Sequence, residues 1–227
     1  IEPALGLNEG TAAGRGFAVS GGVAKAVAAR LQIIYVDTGA LYRAIALYML
    51  RRKADTEQQI VDCLPELDVT LRYMNGEQHV FVNEEDVSGL IRTPEVTMAA
   101  SRVSAIPAVR EYLFALQQNL ARENSVVMDG RDIGTVVLPD ADVKIFLTAS
   151  PEKRAMRRFL EMQEKQIVGQ TYEEVLADVI RRDEQDMNRE IAPLKQAADA
   201  VLVDTSELNL DESEAMLLKV CKENLQK

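Results

Sequence analysis

Arginines and carboxylates gather where short apolar runs end. After Ile33-Ile34-Tyr35-Val36 come Asp37, Thr38 and Arg43, and after Val126-Val127-Met128 come Asp129, Gly130, Arg131 and Asp132. An arginine held among acids at the end of a buried strand can bind an anion bidentately, and the flanking carboxylates can accept hydrogen bonds from a ligand. Both groups also have plain structural readings. Asp37-Thr38 is a good helix N-cap, and Asp129-Gly130-Arg131-Asp132 is a good tight turn. A turn alone needs no arginine between acids, which favours a site there.

Two helical patterns add to the list. From Pro151, Arg154, Arg157 and Arg158 share one face, with Met156, Phe159 and Leu160 on the other. Such a face suits a polyphosphate clamp or is simply a solvated basic face; like charges at this spacing repel by a few tenths of a kcal/mol per pair. A capping box, Thr171 to Glu174, starts the second helix. Its inward face runs Val175, Val179, then Arg182, Asp186 and Arg189. A face that turns from valine to charge suggests a cleft wall, or an ordinary ion-pair ladder. Ser101 and Arg110, on helical segments separated by Pro107, carry no signal alone.

The elements that must position these residues are legible as a rhythm. Buried runs at Phe17-Ala18-Val19, Ile33 to Val36, Val126 to Met128, Val143 to Leu147 and Val201-Leu202-Val203 alternate with helical patterns. Continuous apolar strands separated by helices predict an α/β fold with a parallel sheet covered on both faces. Ligands of such folds bind beyond the carboxyl ends of the strands. Leu67 to Ser88 breaks the rhythm: alternation at Val69 and Leu71, the Asn75-Gly76 turn and a return run from His79 to Val82 predict a small antiparallel insert. His79 is expected to be an exposed strand residue. Ile1 to Gly16 is expected to be a partly ordered leader or an expression remnant.

Composition narrows the function classes. The chain has 227 residues and a formal charge of −10, which argues against sequence-independent coating of nucleic acid. No apolar run reaches the length of a membrane span. Cys63 and Cys221 form no metal or redox spacing and fit a reducing cytosol, and one histidine, His79, makes a zinc site untenable. A cytoplasmic monomer is expected.

Taken together, four motifs resemble those of the bacterial cytidylate kinases: Tyr35-Val36-Asp37-Thr38-Gly39-Ala40-Leu41-Tyr42-Arg43, Val87 to Thr93, Asp129 to Val137, and Arg182 to Arg189 followed by Ala192-Pro193-Leu194. The resemblance runs from about Val23 to the C-terminus. It implies a P-loop kinase core of five parallel strands over residues 17–62 and 94–227. Within that core it implies a helical lid at about 153–185, and beside it a β-rich acceptor insert over 63–93. It implies ATP-dependent phosphorylation of CMP, and of dCMP, with Mg²⁺. Asp132, Arg110 and Ser101 would meet the base; a carboxylate on N4 and an arginine on the ring acceptors is the pairing that tells cytosine from uracil. Arg182 and Asp186 would meet the sugar, and Arg43, Arg131 and Arg189 the monophosphate, with Asp37, Thr38 and Asp129 lining the acceptor site. Arg154, Arg157 and Arg158 would close over ATP. Arg131, Arg189 and Arg158 would stabilise the transferred group.

One departure stands out. The family's first strand leads into a phosphate loop of the form G-x-x-x-x-G-K-[ST]. Here Val19 is followed by Ser20-Gly21-Gly22 and then Val23-Ala24-Lys25. Ser20, Gly21 and Gly22 are the remaining candidates for ATP binding, and Lys25, inside the following helix, does not replace the loop lysine. Two readings stay open. The sequence as written omits residues at this point, or the loop is lost and the protein binds CMP with weak kinase activity. The intact acceptor motifs favour the first. Gln166, where the family usually has glycine after the lid helix, is a lesser departure.

Overall fold

The computed structural model describes residues 16–19, 23–74, 76–164, 166 and 169–225. Ser20, Gly21 and Gly22, and Asn75 of the expected hairpin turn, lie outside the described residues. So does the expected leader except Gly16, which is the first residue of the first strand.

Five strands form one parallel sheet: β1 (Gly16–Val19), β2 (Ile34–Asp37), β6 (Val126–Asp129), β7 (Val143–Thr148) and β8 (Val201–Asp204), in the order β2-β6-β1-β7-β8. Registers such as Val19↔Asp129 and Asp37↔Asp129 bring the strand ends level. Asp37 and Asp129 therefore emerge side by side on one edge of the sheet, where ligands of such sheets bind. The helices are α1 (Ala24–Leu31), α2 (Thr38–Arg52), α3 (Glu57–Cys63), α4 (Pro94–Val103), α5 (Pro107–Glu123), α6 (Pro151–Glu164), α7 (Tyr172–Asn188) and α8 (Leu210–Leu225). Among the described residues none is long and apolar enough to cross a membrane.

The break in rhythm is a three-stranded antiparallel sheet of β3 (Val69–Met74), β4 (Glu77–Val82) and β5 (Glu85–Asp86). Met74 pairs with Glu77, and Gly76 has φ 79°, the left-handed conformation that a two-residue hairpin requires. Among the described residues the insert has no core of its own. Leu67, Val69, Val80, Val82, Val87 and Ile91 join one buried cluster with Leu41 and Ile45 of α2 and with Val96 and Leu113 of α4 and α5.

Helices α6 and α7 pack on each other through Ala155, Val175 and Val179, with Phe159 and Tyr172 edge to face at 6.3 Å between ring centroids. The apolar face expected of α6 is only partly buried. Phe159 packs into this small cluster, whereas Met156 and Leu160 are exposed, because three buried residues leave no room for a wider stripe.

Candidate active site

The Asp37 carboxylate performs two tasks. It caps α2 by accepting from Ala40 N–H at 3.0 Å, and it accepts from the Arg43 guanidinium at 2.8 Å. The cap and the Arg43 contact are thus one arrangement, because the two carboxylate oxygens of Asp37 serve Ala40 N–H and Arg43 separately. Thr38, buried, donates its hydroxyl to Asp129 O at 2.7 Å and so ties β2 to β6. Gly130 allows this close approach, as a Cβ there would sit 2.5 Å from Thr38 Oγ1 and 2.8 Å from the Ile133 side chain.

Beyond Gly130 the chain enters a wide helical turn, Ile133–Val137, whose capping position Asp132 is buried. A buried carboxylate requires a charged partner or hydrogen-bond donors. Arg110 of α5 supplies one, bonding Asp132 directly while its other nitrogen donates to Ser104 O at 3.1 Å. The side chains of this pair are only 10% and 6% exposed. Tyr42 lies beneath, with the Arg110 guanidinium 5.8 Å from its ring centre. Ser101 sits half-buried on α4, whose C-terminal neighbour Ser104 holds Arg110.

The end of α7 closes the cleft. Arg131 donates to Asp186 at 2.9 Å, and Arg189, the residue after the helix, donates to Ala192 O at 2.7 Å. Arg189 also lies 3.9 Å from both Asp132 and Asp186, too far for a hydrogen bond. Two buried guanidinium nitrogens here, Arg43 Nε and Arg189 Nη2, have no hydrogen-bond partner. Unpaired buried donors are rare because each costs about 1–3 kcal/mol. Positive charge is also in excess. Burial, then Arg158 and Arg131, hold the pKa of Arg182 below the ordinary arginine value, and burial and then Arg110 do the same to Arg189, against the pull of nearby carboxylates.

The arginines of α6 divide. Arg154 gives two nitrogens to Asp183, one at 2.9 Å, and its Nε to Ala149 O at 2.9 Å. Arg157 donates to the carbonyls of Thr205, at 2.5 Å, and Leu208, at 3.0 Å. Their donors hold α6 to α7 and to the segment after β8. Arg158 is exposed and near enough to Arg182 to affect its titration.

The structure thus links Asp37, Thr38, Arg43, Arg110, Asp129, Arg131, Asp132, Asp186 and Arg189 through hydrogen bonds and close ion pairs at the strand ends, with Arg182 within electrostatic reach of Arg131, Asp186 and Arg43. The sequence reading gave no role to several neighbours. Tyr35 donates to Asp129 at 3.4 Å, Arg92 approaches Asp37 at 3.9 Å, Tyr42 underlies Arg110, and Gln78 contacts the Asp37 backbone. Tyr35, Tyr42 and Arg92 fall inside the motifs already singled out. The signal for Gln78 was a polar residue in phase with Val80 and Val82 on one strand face.

The cytidylate kinase family model matches residues 12–223. The chain belongs to the cytidylate kinase family. It is 47% identical over 201 residues to the cytidylate kinase of Thermosipho melanesiensis, covering 88% of this chain and 90% of that one. With the cytidylate kinase of Lactobacillus gasseri it shares 48% over 200 residues, 87% and 86% of the two chains, and with that of Carboxydothermus hydrogenoformans 46% over 200 residues, 87% and 90%. Family membership makes the chain a nucleotide-binding transferase of the nucleoside monophosphate kinase class.

Proposed function

We propose that the chain transfers the γ-phosphoryl group of ATP to CMP, and to dCMP, in the cytoplasm as a monomer. The observation that carries this is the pair of buried, unpartnered donors, Arg43 Nε and Arg189 Nη2, in a cleft crowded with arginines. A dianionic monophosphate satisfies both donors and relieves the mutual repulsion felt by Arg182. On this reading Arg43, Arg131 and Arg189 enclose the acceptor phosphate. Asp132, oriented by Arg110, takes the N4 hydrogens of cytosine, with Ser101 on the base edge. Arg182 and Asp186 hold the sugar, and an Asp186 that accepts from ribose hydroxyls favours CMP over dCMP. Asp37, Thr38 and Asp129 fix the strand ends beneath.

The reaction needs positioning more than proton transfer. A phosphate monoester has its second pKa at about 6, so the attacking oxygen is already anionic near neutral pH and no general base is required. That oxygen forms a bond to the γ-phosphorus as the bond from phosphorus to the β–γ bridging oxygen breaks, and ADP leaves with the electron pair. Arg131, Arg189 and Arg158 neutralise the equatorial oxygens. Helices α6 and α7, with their own small core, form the lid that excludes water. Arg154 and Arg157 brace this lid, which leaves Arg158 as the arginine that meets ATP. Mg²⁺ supplies charge neutralisation on the nucleotide phosphates, and such ions are commonly bound through substrate oxygens. Among the described residues no three His, Cys, Asp or Glu side chains cluster to hold a metal, so the ion is not assigned protein ligands.

A second reading has its own support. Only residues 20–23 separate β1 from α1, fewer than the eight positions of G-x-x-x-x-G-K-[ST]. A chain with this connection binds CMP but turns over ATP slowly. Calorimetric titration with CMP beside a coupled ADP-release assay separates the two: binding with turnover supports the kinase, binding without it the weakened form, and no binding refutes both.

A further inference from the structure

The outer edge of β2 is covered by side chains of the insert, where a further strand would otherwise sit. Ile34 N–H donates to Ser125 O at 3.1 Å, so Ile34 and Val36 turn their backbone groups toward β6. Tyr35 and Asp37 turn theirs to the free edge. There Tyr73 of β3 donates its hydroxyl to Tyr35 O at 3.1 Å. Gln78 of β4 grips the Asp37 backbone twice: its Oε1 accepts from Asp37 N–H at 2.8 Å, and its Nε2 donates to Asp37 O at 3.4 Å. Burial holds the Tyr73 phenol pKa up at about 12, so it remains a donor throughout the neutral range.

Asp37 is also the residue that caps α2 and binds Arg43. The cavity beside it, about 240 Å³, is lined by Gln78, Tyr35, Asp37 and Arg92. We infer that Gln78 is a positioning residue for the acceptor phosphate, acting through Asp37 on Arg43. With the hairpin seated, the amide fixes the Asp37 backbone, the carboxylate stays on the α2 cap, and Arg43 presents its unpartnered Nε. Without that amide, Asp37 loses both contacts and the Arg43 orientation loosens. Gln78 is thereby linked to phosphate binding through Asp37 and Arg43. The inference rests on the acceptor role of Arg43 proposed above.

The test compares CMP with cytidine, which lacks the phosphate, by calorimetry on the full chain. Gln78→Met keeps the length of the side chain and removes both hydrogen bonds. It should weaken CMP binding about three- to tenfold, as expected for lost hydrogen bonds to backbone, and change cytidine binding less than about twofold. Gln78→Leu likewise removes both hydrogen bonds without adding charge, and it carries the comparison if Gln78→Met fails to fold. In an Arg43→Met background, Gln78→Met should cost nothing further, because coupled residues are not additive. Equal losses for CMP and cytidine, or an undiminished loss in the Arg43→Met background, overturn the inference. A wild-type chain that does not bind CMP overturns the proposed function and this inference with it, whereas intact CMP binding in Gln78→Met overturns the inference alone.

Discussion

At the scale of single residues, Asp132 faces a requirement set by burial. Its carboxylate is nearly sealed, and Arg110 and Arg189 are the cations around it. Asp132→Asn should therefore lower kcat/KM for CMP by about 1–3 kcal/mol equivalent and narrow its advantage over UMP, since an amide presents either a donor or an acceptor. Acceptor competition measures the ratio; an unchanged preference would remove Asp132 from base reading. Asp86 in the insert responds to acid. Hydrogen bonds from the Ser88 hydroxyl, then from Ser88 N–H, and finally His79 hold its pKa down to about 2. A carboxylate with a depressed folded pKa adds stability above its unfolded value, and loses it as pH falls from about 4 toward 2. In Ser88→Ala the Asp86 pKa should rise toward the usual aspartate range, and carbon NMR titration of the carboxyl would show it; no movement would count against the Ser88 hydroxyl as the main cause. His79, expected on an exposed strand face, is in fact partnered by Asp86 at 2.8 Å.

At the scale of elements, parallel strand and helix patterning was legible because the strands are short apolar runs, the central β6 with Val126, Val127 and Met128 all buried. The capping signals were equally local: Thr171 and Glu174 form the reciprocal box that their spacing predicts. What could not be read was pairing at a distance. Asp183, Thr205 and Leu208 claim Arg154 and Arg157, and no spacing along α6 announces partners from after β8. The two-residue strand β5 is too short to show an alternation. Three predictions belong here. Arg158→Ala should raise KM for ATP or lower kcat and leave CMP binding unchanged. Arg154→Ala should instead lower the melting temperature by an amount matching about 0.2–1 kcal/mol, since its pair with Asp183 is partly exposed. Identical kinetic effects from both would contradict this division. In the turn after β6, Gly130→Ala must displace Thr38 or Ile133, so a stability loss of about 1–3 kcal/mol is expected in denaturant unfolding, with reduced CMP turnover. A silent substitution there would mean that the turn relaxes freely.

At the scale of the whole molecule, a net charge of −10 surrounds a cleft in which arginines repel one another. On the proposed reading, the local field of this cleft draws in a small anion despite the acidity of the chain as a whole. The proposed acceptor half draws on residues of the four motifs, and the proposed donor half on the few residues between β1 and α1. Lengthening that connection to a full G-x-x-x-x-G-K-[ST] loop should raise ATP turnover more than tenfold with CMP affinity nearly constant, because a ring of backbone N–H groups fixes the phosphates in line. Steady-state rates and CMP titration of both forms decide this; equal turnover would place catalysis elsewhere.

The shared cluster beneath the insert bears on how the protein could be divided. Val80, Val82, Val87 and Ile91 form part of the seat of α2, the helix that carries Arg43. A shortened gene joining residue 66 directly to residue 93 would strip the covering from Leu41 and Ile45 and expose a greasy helix face. The product would be prone to clump during synthesis and would not survive as a smaller kinase. The hairpin is thus less an appendage than a wall of the building, and an ancestor without it would have needed a different α2.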